Sequence, residues 1–178
     1  FSFEKLINVD SHLGPEMKST GEVLGIDENF DKAVYKGFLG AGMSIPVGGN
    51  VFVALRESEQ NEFTAKVLED YCDAGFTLYA TDETIDFIRN SGMDVNAIDY
   101  ETAQEWITNH DADSNEKISL VINVPTVANR KEIDSFPVRR KAIERGISVM
   151  TCMDTAWAML KAIKLKQAGV QLDYELLD

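Results

Sequence analysis

The sequence predicts an α/β domain in three layers, helices covering both faces of a five-stranded parallel sheet. Three observations predict it. From Asn50 onward short β-branched or apolar runs alternate with helical stretches. Each of the five runs is followed by a helical or irregular crossover, the connection parallel neighbours require. Glycines stand where helices should stop, at Gly75, Gly92, Gly146 and Gly169.

The elements come in this order. Between Phe1 and Gly49 the punctuation is dense, with Gly14-Pro15, Gly21, Gly25, Pro46 and Gly48-Gly49. That leaves room for one amphipathic helix, Glu28–Leu39, in which Phe30, Val34, Tyr35, Phe38 and Leu39 recur at helical intervals. Asp27 can cap its start and Gly40 or Gly42 its end. Val51–Leu55 reads as a strand, Glu62–Ala74 as a helix, Thr77–Ala80 as a second strand and Asp82–Asn90 as a helix. A weak strand at Val95–Ile98 and a helix at Thr102–Thr108 come next, then the most convincing buried strand, Ser119–Asn123. Phe136–Arg145, Ser148–Met150 and Asp154–Gln167 complete the chain as helix, strand and helix. Asp111–Lys117 reads as a solvated acidic loop.

Composition narrows the function. The 178 residues carry 30 acidic and 17 basic side chains, a formal charge of −13, with 44% hydrophobic residues. Such a chain is globular and repels nucleic acid. No apolar run approaches the ~20 residues of a membrane-spanning helix. Cys72 and Cys152 form no CxxC pair, which argues against a disulfide framework and fits a reducing cytoplasm. The opening Phe1-Ser2-Phe3, with no initiator Met, points to a piece of a longer polypeptide. His12 and His110 are the two histidines, far apart, so a metal centre or a Ser/His/Asp triad lacks its parts. Neither GxGxxG nor GxxxxGK[ST] occurs.

In an open parallel sheet, ligands bind beyond the carboxyl ends of the strands. That selects Arg56 to Gln60, Thr81 to Thr84, Asn123 to Thr126, and Thr151. Thr81 and Thr84 straddle a helix start, where unpaired N–H groups favour an anion. Capping by Thr81 or Asp82 would satisfy the same groups without a ligand. Asn123 can bond neighbouring backbone or present its amide to a guest. Arg139-Arg140 reads first as a solvated helix face, with a reach to a partner or an anion as the alternative. Trp106 and Trp157 read as core or interface residues.

The run Leu13-Gly14-Pro15-Glu16-Met17-Lys18-Ser19-Thr20-Gly21-Glu22-Val23-Leu24-Gly25 closely resembles the end of the second ATP-grasp unit of carbamoyl-phosphate synthetase large subunits. The remainder of the chain is similar to their methylglyoxal-synthase-like regulatory domain. Gly75-Phe76, Ala80-Thr81, Thr84, Val121-Ile122-Asn123 and Val138-Arg139-Arg140 appear in the family's order. The resemblance implies residues 1–42 as ATP-grasp tail and connecting helix, and residues 43–178 as the regulatory domain. It also implies strand order 3-2-1-4-5.

The same resemblance implies a non-catalytic, effector-binding segment with the site at Thr81, Thr84, Asn123, Thr126 and Ser135. The parent enzyme would make carbamoyl phosphate for arginine and pyrimidine synthesis. The segment would hold no cofactor or metal, with ATP and Mg bound upstream. Implied partners are the upstream synthetase domains, a glutaminase small subunit, and a small anionic effector, either a nucleotide monophosphate or an N-acylated glutamate. Where nucleotide-binding members carry lysines, this chain has Gln60 and Tyr100. Each missing charge-assisted bond is worth about 1.5–3 kcal/mol to a phosphate. Val121–Pro125 and its spacing to Arg139-Arg140 are closer to ammonia-dependent relatives activated by acylated glutamate. An ornithine-type site would involve Leu13 and Thr151. The enzymatic alternative, a methylglyoxal-synthase-type lyase acting on dihydroxyacetone phosphate, needs a glycine-rich stretch bearing a catalytic Asp. Here that stretch reads Ile98-Asp99-Tyr100-Glu101-Thr102-Ala103-Gln104-Glu105-Trp106.

Overall fold

The computed structural model describes residues 23–109, 115–124 and 130–173. In order these form α1 (Phe30–Gly40), β1 (Gly49–Leu55), a 3-10 turn (Glu57–Glu59), α2 (Glu62–Asp73), β2 (Phe76–Ala80) and α3 (Asp82–Asn90). Next come β3 (Asn96–Ala97), α4 (Tyr100–Thr108), β4 (Ile118–Val124), α5 (Arg130–Glu144), β5 (Val149–Met150) and α6 (Met153–Gln167). The five strands pair in parallel in the order β3-β2-β1-β4-β5.

Right-handed crossovers explain the layering. The chain steps from β1 to β2 to β3 in one direction, so α2 and α3 lie on one face. It then crosses back over the sheet to β4 and on to β5, which puts α4 and α5 on the other. The period-2 alternation of strand side chains serves both layers. Val51, Val53 and Leu55 pack with Leu68, Tyr71, Ile85, Ile88 and the α6 residues Met159, Leu160 and Ile163. Phe52 and Ala54 pack with Ala103, Ile107, Val138 and Ala142. Tyr35 of α1 joins the first layer, and Lys161 of α6 pairs with Asp31 at 2.7 Å.

Two glycines are required by close approach. A Cβ on Gly25 would stand 2.0 Å from the Ala33 carbonyl oxygen, because the segment before α1 runs directly across that helix. Lys36 fastens the same segment through the Ile26 carbonyl and the Asp27 carboxylate. Gly49 has φ +112° and its Cβ would stand 2.2 Å from Ser119 Oγ, beside the irregular register at Asn50/Val51.

The structure alters five sequence expectations. Asn29 caps α1, accepting the Lys32 N–H, whereas Asp27 accepts the Asn29 N–H and holds Lys36. β1 begins two residues early and β3 is confined to Asn96–Ala97. α5 begins at Arg130, not Phe136, so Pro137 lies inside the helix and withholds one helical N–H. Arg139 lies fully buried, not on a solvated face. Among the described residues no helix is long and apolar enough to cross a membrane, and no cluster of His, Cys, Asp or Glu could hold a metal ion. Cys72 and Cys152 are unpaired.

Candidate functional site

The chain reverses direction across the sheet between β1 and β4, so the crevice rule points to their carboxyl ends. Two polar groupings lie there, one against α3 and one against α5.

The first is a hydroxyl clasp on the end of β1. Thr81 N–H closes the β1–β2 ladder on the Val53 carbonyl at 3.3 Å, and the Thr81 carbonyl is then taken by the Thr84 and Ile85 amides as α3 begins. Leu55 N–H, one rung further, therefore has no strand partner left on that side and donates to Thr84 Oγ1 at 2.9 Å. Thr81 Oγ1 stands 3.5 Å from Thr84 Oγ1, the limit of a hydrogen bond. Gln60 Nε2 donates to the Glu83 carbonyl at 2.9 Å and reaches the Leu55 carbonyl at 3.4 Å. Both threonines are buried. Thr81 occupies the N-cap position of α3, yet its side chain makes no capping bond, so the capping expectation fails for it.

Charge at this end is acidic. Asp82 and Glu83 occupy the first turn of α3, and Glu57 and Glu59 the preceding 3-10 turn. Arg56, from the same loop, is engaged by Glu59 through both Nε and Nη2.

The second grouping joins β4 to α5. Asn123 stands in register with Ala54 on the α4/α5 face of the sheet. Its Oδ1 accepts a short bond, 2.5 Å, from Arg139 Nη1, which also donates to Ser135 Oγ at 2.8 Å. Ser135 and Arg139 are four residues apart on one helix, hence stacked on one face. All three are buried, Arg139 at 0% exposure. A side chain of that size and charge is almost never fully buried without hydrogen-bonded partners. Of the two readings of Asn123, the bond to neighbouring backbone is not the one described: its partner is a guanidinium.

Thus Thr81, Thr84 and Gln60 come together, as do Asn123 and Ser135, while no described bond joins the two groupings. Thr126 and Leu13 lie outside the described residues, as do His12 and His110. Thr151 follows β5, and next to it Cys152 Sγ lies 2.9 Å from Thr155 Oγ1. Arg140 pairs with Glu144 at 2.6 Å. Trp106 meets Tyr79 edge-on in the second core layer, and Trp157 is partly exposed under Lys161. Tyr100 packs against Phe52.

Arg139 is the residue that sequence reasoning misplaced. A signal was present: counted back along a helix, it falls one turn from Ser135, between the apolar Val138 and Ala142. The late start given to the helix, at Phe136, hid that spacing.

Asp99 bears on the enzymatic alternative. It is the N-cap of α4, its Oδ1 accepting the Thr102 N–H at 2.7 Å. That backbone bond holds its carboxyl below the usual carboxylate range. A carboxylate held ionised as a cap is a poor proton-shuttling acid.

Comparison with known proteins accords with this geometry. Residues 64–151 match the MGS-like domain family. The chain is 39% identical to the carbamoyl phosphate synthase large chain of Clostridium acetobutylicum over 178 residues, 99% of this chain and 16% of that protein. It is 40% identical to the carbamoyl phosphate synthase large chain of Clostridium perfringens over 165 residues, 92% of this chain and 15% of that one. The chain therefore spans about a sixth of the length of these relatives. On these matches over nearly all of its length, and with the sheet order in place, the chain belongs to the carbamoyl phosphate synthase large-chain family, as a segment carrying its MGS-like domain.

Proposed function

We propose that this segment is the effector-binding regulatory domain of a carbamoyl phosphate synthase large chain. The observation that carries the reading is that the threonine clasp and the Asn123 amide both lie at the carboxyl edge of the sheet around its switch point, inside an MGS-like domain. Thr81, Thr84, Asn123, Thr126, Ser135 and Gln60 would line the effector's place. Residues 1–42 would be the tail of the upstream ATP-grasp unit, which in the parent enzyme binds ATP and Mg. The effector acts by differential affinity for two states of the parent, and no covalent step is asked of this segment. The remaining partners are the upstream domains of the same polypeptide and a glutaminase subunit, in the cytoplasm.

The chemistry of the rim favours a carboxylate or amide ligand over a nucleotide monophosphate. Gln60 is neutral and held by main-chain carbonyls, Arg56 is engaged by Glu59, and acidic side chains begin α3. A phosphate at this helix start would meet hydroxyls and like charge. The parent's activators would then be of the N-acylated glutamate type.

A thermal-shift titration of the chain with N-acetyl-L-glutamate, UMP, IMP, ornithine and arginine tests the reading. A ligand at a hundred times its Kd raises stability by about 2.7 kcal/mol, whereas a non-binder shifts nothing. Silence across the whole set would remove the regulatory reading. Sustained methylglyoxal formation from dihydroxyacetone phosphate at enzyme-like rates would replace it with the lyase.

A further inference from the structure

We infer that Arg139 is a positioning residue that sets the polarity of the Asn123 amide, so that the group this domain recognises at the end of β4 is a hydrogen-bond acceptor. The ligand half of this inference rests on the effector-binding reading above; the orientation half does not.

A guanidinium carries five N–H donors and no acceptor. The end of the Asn123 amide that meets Arg139 must therefore be Oδ1, and the geometry agrees. Amide orientation is ordinarily an assignment between two similar atoms, but a donor-only neighbour at this distance removes the choice. With Oδ1 committed, Asn123 can offer only its Nδ2–H2 group to anything else. That group is not one of the described atoms that are buried without a partner, and as a donor it can serve an arriving carboxylate or carbonyl oxygen and nothing of the opposite polarity.

Arg139 is itself held in place. Ser135 Oγ accepts from the same Nη1 one helical turn earlier, and Val138 and Ala142 of the same helix are buried in the second core layer. The guanidinium is thus fixed from α5 and the amide from β4, and neither can turn without breaking the contact between layers. The positioning argument needs no direct touch between Arg139 and the guest.

The test uses the 178-residue chain with Asn123→Asp, Asn123→Leu, Arg139→Lys and Arg139→Met, and the double variant that combines Asn123→Asp with Arg139→Met. Thermal midpoints decide the orientation. With Arg139 present, Asn123→Asp should melt at or above the parent, because a carboxylate accepts from the guanidinium as Oδ1 does; Asn123→Leu should melt several degrees lower. In the Arg139→Met background Asn123→Asp should become strongly destabilising. Equal losses for the Asp and Leu variants would overturn the assigned polarity.

Calorimetric titration with N-acetyl-L-glutamate and, separately, UMP decides the ligand half. Asn123→Asp, folded and stable but lacking the donor, should bind at least about tenfold more weakly. Arg139→Lys, which keeps a donor, should stay within about threefold of the parent, a rescue that loss of packing alone would not give. Unchanged binding by Asn123→Asp overturns the acceptor assignment. No binding of either probe by the parent chain overturns the acceptor assignment, leaves the regulatory reading to the five-ligand titration above, and leaves the orientation to be judged by the midpoints.

Discussion

The two polar groupings at the carboxyl edge of the sheet look alike in composition and differ in what their bonds connect. Thr84 and Gln60 bond to main chain, at the Leu55 amide, the Leu55 carbonyl and the Glu83 carbonyl. Asn123, Ser135 and Arg139 bond to one another, side chain to side chain, across the gap between a strand and a helix. The first finishes a strand whose neighbour has already turned into a helix, and the fold would need it with or without a ligand. The second holds a guanidinium inside the protein between a strand and a helix, where it also fixes which end of an amide faces it. Polar residues brought together at a crevice are therefore not equal as evidence for a site.

That contrast is broken or sharpened first at Arg139. Replacing it with Met removes the donor that Asn123 Oδ1 and Ser135 Oγ share, and with it charge-assisted bonds among buried residues. We expect a loss of about 3 kcal/mol in urea unfolding, larger than any single change in the threonine clasp. A loss below about 1 kcal/mol would mean that the guanidinium orients nothing.

Within the clasp the two threonines should separate. Thr84→Val keeps the shape and strands the Leu55 amide, for an expected loss of about 2 kcal/mol. Thr81→Val removes a hydroxyl whose described contact is already at 3.5 Å, so it should cost under about 0.5 kcal/mol. Equal losses would show that Thr81, not only Thr84, closes the strand.

A third main-chain bond of the same kind lies away from the crevice and supplies a pH test. Tyr71 donates its hydroxyl to the Ala156 carbonyl at 2.7 Å, tying α2 to α6. Burial pushes its phenol well above the ordinary 10.0. The folded state thus keeps a proton that the unfolded chain gives up. Its contribution is complete below about pH 10 and falls as pH rises beyond, by up to about 1.4 kcal/mol per pH unit. Tyr71→Phe should melt lower than the parent at about pH 7, and the gap should narrow between about pH 10 and 11.5. A gap that holds constant would mean that the phenol ionises in the folded chain.

How much of this was legible in the sequence depends on range. The strands, the helices and their order were readable because β-branched runs and helical periods act locally, and because the glycines after α2, α3, α5 and α6 adopt positive φ as stops. The position of Thr81 and Thr84 at a strand-to-helix turn was readable for the same reason. What Thr84 bonds to was not: its partner, Leu55, is 29 residues away and becomes available only because β2 ends one rung early. Arg139 was misread because a charged pair on a helix reads as a solvated face, and a helix begun at Phe136 leaves Ser135 outside it. Burial of a charge on an amphipathic helix depends on which face meets the sheet, which local pattern does not encode.

The smallest expected change in stability is the one that most sharpens the contrast. Gln60→Lys replaces a neutral donor by a cationic one that can reach the same two carbonyls, so unfolding should change by no more than about 0.5 kcal/mol. Its effect on ligands should be larger. If the clasp is a neutral structural closure that a phosphate could use only with cationic help, the variant should bind UMP at least about tenfold more tightly than the parent, since one charge-assisted bond supplies roughly 1.5–3 kcal/mol. N-acetyl-L-glutamate, if it is held chiefly from Asn123, should bind parent and variant about equally. A variant that gains nothing for UMP would place the obstacle in the acidic first turn of α3, at Asp82 and Glu83, rather than in the missing lysine. The difference between the two groupings would then be one of repulsion as much as of bonding.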